Sequence, residues 1–149
     1  MKDAQKAARH VAYELGMFRE TFGRLPAAGP LPVLVLEAFL VHTRNLIEFF
    51  WDGAPSGAIL PKDFGAPAAR DKDPAFEDLR HSISQLVSHL TWDRVDHELR
   101  PQDWSYSRLQ RIHDAINTKA QRFFTAVPRD RHVWFSAEFF PKEFEHWTR

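Results

Sequence analysis

The chain contains no cysteine, which excludes a disulfide framework, a thiol nucleophile and a thiolate metal site. It also lacks net charge, because twenty Lys and Arg balance twenty Asp and Glu. A neutral chain has no broad positive field of the kind a general nucleic-acid binder carries, so any such surface must be a local patch. The N-terminal run MKDAQKAARHVAYE is charged throughout and has no apolar h-region, so it does not read as a signal peptide. The longest apolar stretch, Val33 to Trp51, carries Glu37, His42, Arg44 and Glu48, which argues against a membrane span. A soluble cytoplasmic protein with no membrane partner is therefore expected. A phosphate-cradling Gly loop, a Gly-x-Ser-x-Gly elbow, a His-Glu-x-x-His pair and a dinucleotide fingerprint are all missing, so nicotinamide and nucleoside-triphosphate chemistry is not expected.

What is present is helical periodicity and aromatic bulk. The 149 residues suffice for one domain with a real core, and thirteen Phe and five Trp make that core, or an interface, aromatic-rich. Ala4, Ala8, Val11, Leu15, Phe18, Phe22 and Leu25 recur at alternating spacings of four and three, predicting a first helix over 3–25. Gly23 and the run Pro26 to Pro32 stop it, and the apolar stretch from Val33 predicts a central helix. Val35, Leu36, Phe39, Leu40, Leu46, Ile47, Phe50 and Trp51 fill its broad face, Glu37, Arg44 and Glu48 its narrow polar stripe, and His42 and Asn45 the boundary between them. Two helices joined by so short a turn should pack as an antiparallel hairpin.

Residues 52–73 lose all period and predict a long loop, with Ile59, Leu60 and Phe64 docking its middle onto the helices. Asp73-Pro74 starts a third helix whose apolar face is Phe76, Leu79, Ile83, Leu86, Val87 and Leu90. Past Leu90 that face carries Asp93, Arg94 and His97, so the helix either ends near Thr91 or holds a polar cluster toward the core. After Pro101, Asp103 or Ser105 can cap a fourth helix with the stripe Leu109, Ile112, Ile116, Ala120, Phe123 and Val127. Arg108, Arg111, Lys119 and Arg122 gather on one flank of it, as a solvated face or as an anion or RNA-backbone contact. The last sixteen residues hold Trp134, Phe135, Phe139, Phe140, Phe144 and Trp147, too much aromatic surface to leave in water. That segment either folds over the bundle or makes a homodimer contact. The expected fold is all-α, a four-helix up-down bundle with a long loop between helices 2 and 3 and an aromatic-rich C-terminal segment.

Three constellations carry candidate chemistry. His89, Asp93 and His97 fall at i, i+4 and i+8, and with His42 they form a ligand set for a divalent transition metal between facing helices. In outline this is similar to DinB-like metal-binding bundles, with Asp93 where those carry a histidine. Arg108-Leu-Gln-Arg-Ile-His113 has the Arg-to-His spacing of the HEPN superfamily of bacterial helical bundles, with Leu109 where that family usually carries a polar residue. The resemblance implies an RNA-binding protein or ribonuclease in a defence or toxin context. His113 would be general acid–base for the ribose 2′-hydroxyl and Arg108 would stabilise the phosphorane charge. Finally, EAFLVHTRNLIEFF (37–50), KDF (62–64) and SHLTWDR (88–94) resemble a pattern met in small bacterial helical proteins, some HEPN-like in layout. That resemblance picks out His42, Arg44, Asn45, Asp63, Phe64, His89, Thr91 and Arg94. They would converge on an anionic ligand with Asp63 and Phe64 over the site, or form a polar network that fixes helix docking. A non-catalytic dimeric module is the third expectation.

Overall fold

The computed structural model describes residues 3–51, 56–67, 74–84, 87 and 104–135. They are all-α, with no strand among the described residues. Helix α1 spans Ala4–Gly23, α2 Val33–Phe50, α3 Pro74–Ile83 and α4 Tyr106–Ala126. Two short 3-10 helices, Pro61–Phe64 and Arg129–Phe135, flank the core. The caps follow from the sequence. The Asp3 carboxylate accepts from the Lys6 N–H at 3.0 Å, and the Ser105 hydroxyl accepts from the Arg108 N–H at 3.2 Å, each satisfying a donor with no partner inside its helix.

The order of side-chain pairs fixes how the helices run. Phe18 and Phe22 of α1 meet Phe39 of α2, while Glu14 meets His42 and Asn45, so α1 and α2 are antiparallel. From α2 to α3 the pairs are Arg44 with Ser84, Glu48 with Arg80 and Trp51 with Phe76, again in opposite order. Phe22 stacks on Tyr106 and His113 of α4, and Arg19 bonds Asn117 further along. Among the described residues the expected apolar faces are largely buried, with Leu36, Phe39, Leu40, Leu46 and Ile47 at the centre; Leu86 and Leu90 of the expected α3 face lie outside the described residues. Val33 and Leu34 are the exceptions among the large apolar residues of α2, at 46% and 81% exposed, because that helix is apolar around most of its girth and cannot bury every side.

The loop after α2 is pinned at its middle, as expected, but not by all three expected residues. Phe64 is fully buried, whereas Ile59 is exposed and Leu60 half-buried. Phe64 sits among Phe49, Phe123 and Phe135, with ring centroids 5.1–6.1 Å apart. Gly65 makes this approach feasible. Its φ is +83°, and a Cβ there would stand 2.9 Å from Arg131 Nη1 and 3.3 Å from Pro128 Cδ. The start of the C-terminal aromatic segment folds onto the same core, with Phe135 fully buried and Trp134 carrying Arg131 over its ring. Phe139, Phe140, Phe144 and Trp147 lie outside the described residues.

Candidate functional site

The boundary residues of α2 do gather polar partners, and the first comes from α1. His42 Nδ1 lies 2.7 Å from Glu14 Oε2, and Asn45 Nδ2 donates to the same oxygen at 3.1 Å. Tyr13 packs edge-on to the imidazole. On another side of α2, Arg44 Nη2 meets Glu48 Oε1 at 3.0 Å and Arg44 Nε donates to the buried Ser84 hydroxyl at 2.7 Å. Arg80 of α3 reaches the same Glu48 oxygen at 3.6 Å and Glu77 at 2.8 Å. The Glu77 hydrogen bond raises the Arg80 pKa, against the opposing effect of burial. Two small networks thus tie α1 to α2 and α2 to α3, and in the second Glu48 faces Arg44 and Arg80 while Arg80 also faces Glu77. That pairing suits helix docking better than capture of a free anion.

Glu14, Arg80 and Ser84 were not singled out from the sequence, although a signal was there. Glu14 stands three residues after Val11 and four before Phe18, and Arg80 four after Phe76 and three before Ile83. Each is a charge at a core-facing helical position, which requires a partner on the facing helix.

Asp63 and Phe64 do not sit over this centre. The Asp63 carboxylate accepts from the Leu60 N–H at 2.8 Å and so caps its own 3-10 helix, while Phe64 is spent on the aromatic core. The loop residues that do border the Glu14 and Asn45 side are Ala58 and Ile59, across a groove of about 430 Å³. His89, Thr91, Asp93, Arg94 and His97 lie outside the described residues. Among the described residues no group of three or more His, Asp or Glu stands close enough to hold a metal ion, and His42 is turned to Glu14.

Arg108 and His113 are directed at different neighbours. Five residues on an α-helix differ by about 140° in azimuth. The Arg108 guanidinium lies 4.3 Å from the Trp104 ring centroid, toward α3, while the His113 ring stacks on Phe22 at 4.0 Å and on Phe18 at 5.3 Å, toward α1. Arg19 Nε donates to Asn117 Oδ1 at 2.9 Å, and Asn117 Nδ2 lies 3.0 Å from His113 Nε2, where a neutral imidazole accepts. Burial lowers the His113 pKa below its ordinary value, Asp114 opposes this, and the Arg19 charge adds to it.

A depressed histidine binds its proton more readily in the unfolded chain. Its contribution to stability is therefore complete above about pH 6.5 and is lost as pH falls through the folded pKa. The wild-type melting temperature is expected to fall between about pH 7 and about pH 5, and His113→Phe should flatten that fall. An unchanged pH profile in the variant would locate the acid sensitivity elsewhere.

The flank of α4 supplies the other candidate. At about 100° per residue, Arg108, Arg111, Ala115, Lys119 and Arg122 share roughly 80° of arc and extend over about 21 Å. Arg108, Arg111 and Arg122 are exposed; Lys119 is half-buried with its ammonium 5.2 Å from the Trp51 ring centroid. The one acid of α4, Asp114, lies off this stripe. Beside the stripe runs a groove of about 340 Å³, walled by Ala75, Phe76 and Leu79 of α3 and by Ile112 and Ala115 of α4, with Arg108 and Arg111 as its ionisable residues. Positive charge over an apolar trough can hold an anion whose body is apolar.

Comparison of the chain with protein-family models, curated proteins and solved structures finds no match. Among the described residues, no helix is long and apolar enough to cross a membrane.

Proposed function

We propose that this chain is a four-helix up-down bundle of the cytoplasm that binds single-stranded RNA along α4. The alternating order of the α1–α2 and α2–α3 pairs supports the bundle. The observation that carries the RNA reading is the stripe Arg108, Arg111, Lys119 and Arg122, four cations on one face of α4 with no acid of that helix among them. It favours binding over cleavage, because His113 is packed against Phe18 and Phe22 on another side of α4 and Arg108 leans on Trp104.

Each phosphate neutralised on a single strand contributes about −0.7 to the slope of log K against log salt. Three or four contacts therefore give a slope of roughly −2 to −3. Fluorescence anisotropy with a labelled RNA of ~12 nucleotides, titrated between about 50 and about 200 mM salt, measures it. The double variant Arg111→Gln, Arg122→Gln should bind more weakly and flatten the slope by about 1.4, two contacts' worth. A slope near zero, or one the double variant leaves alone, overturns the reading.

A further inference from the structure

We infer that the groove between α3 and α4 takes the base of an unpaired nucleotide while Arg108 and Arg111 hold the phosphates on either side of it. This rests on the RNA reading above and adds what is recognised besides charge. Ala75 and Ala115 face the groove from opposite helices, and two small side chains there leave a trough of about 340 Å³. That is on the order of ten water volumes, room for a flat ring system and too narrow for a second stacked strand. Phe76 gives the trough an aromatic wall. One side of its ring is stacked on Trp51, with centroids 4.3 Å apart, so the wall is held in place before any ligand arrives. Leu79 and Ile112, both nearly buried, make the floor.

The occupant follows from the chemistry of the rim and the floor together. Among the described residues, the ionisable ones lining the trough are two arginines, and the rest of the lining is apolar or aromatic. An apolar peptide would leave the guanidinium groups unanswered, and a bare polyanion would leave the trough empty. A nucleotide in a single strand answers both, since every base has a π-face to lay on an aromatic wall and a phosphate on each side. In a duplex the bases are paired and stacked inward, so the trough would be idle and only the cationic stripe would act.

The test compares two labelled strands of equal length by anisotropy at fixed salt, one a normal RNA and one carrying abasic sites throughout. The second keeps the phosphates and loses the bases. The normal strand should bind about tenfold more tightly or better. Ala115→Leu, which fills the trough with a good helix former, should bring the normal strand down to the abasic level and leave its salt slope unchanged. If both strands bind alike with a steep salt slope, the base site is overturned while the RNA reading stands. If neither strand binds at any salt, the RNA reading falls and the base site with it. The abasic comparison uses the unaltered protein, so it decides the matter even if the variant folds poorly.

Discussion

Phe64→Ala is expected to cost about 3–5 kcal/mol of stability, the range for emptying a fully buried phenylalanine site. Phe64 has no exposed surface and meets three other phenylalanine rings, Phe49 from α2, Phe123 from α4 and Phe135 from the second 3-10 helix. Few single side chains here join so many separate elements. The lost area is one part of the cost. The other is the cavity, because Phe123 and Phe135 are already packed against each other at 5.6 Å and cannot both close the gap. For a domain of this size, each kcal/mol moves the melting temperature by roughly 2–4 °C, so a thermal melt should fall by roughly 6–20 °C. Phe64→Leu should recover a good part of that, since it keeps much of the volume. A loss below about 1 kcal/mol would mean that the loop is not anchored through this ring.

That anchor also marks how far the sequence could be read. A period of 3.6 fixes which face of each helix is buried, so the cores of α1, α2 and α4 follow from Val11, Leu36, Ile116 and their neighbours alone. The loop has no period, and its apolar residues are not equivalent. Phe64 is buried and Ile59 exposed because Pro61 and the Asp63 cap wind the chain into a 3-10 turn that faces only one of them inward. The site shows the same division. His42 and Asn45 fall on a visible boundary of α2, so their importance was legible. Their common partner Glu14 lies on another helix, 28 and 31 residues away, and only the rule that an inward charge needs a counterpart points to it. The separation of Arg108 from His113 was legible in principle. A spacing of five residues is not a spacing of four, and about 140° of azimuth takes the two side chains to different neighbours.

Glu48→Ala should have the second largest effect, about 2–3 kcal/mol, and it separates the two readings of the α2 centre. The Glu48 carboxylate lies 3.0 Å from Arg44 and 3.6 Å from Arg80, and these three side chains are 18–27% exposed. Pairs in that range are more than surface ion pairs, which are worth at most about 1 kcal/mol. Removing the acid costs the Coulomb attraction and leaves two guanidinium groups of like charge close together across the α2–α3 contact. Glu77 and Ser84 still hold one each, which is why the loss should stop short of the range for a fully buried broken pair. If the two arginines exist to dock α3 on α2, adding sulfate to the Glu48→Ala variant should restore part of the lost stability, because the anion takes the place of the carboxylate. Measured against a salt of equal ionic strength without sulfate, and at a concentration too low for sulfate's general stabilising effect, wild type should gain little, since Glu48 already fills the position. If instead Arg44 and Arg80 serve a ligand anion, sulfate should stabilise the wild-type protein as strongly as the variant. The same pair of melts, each with and without sulfate, gives either answer.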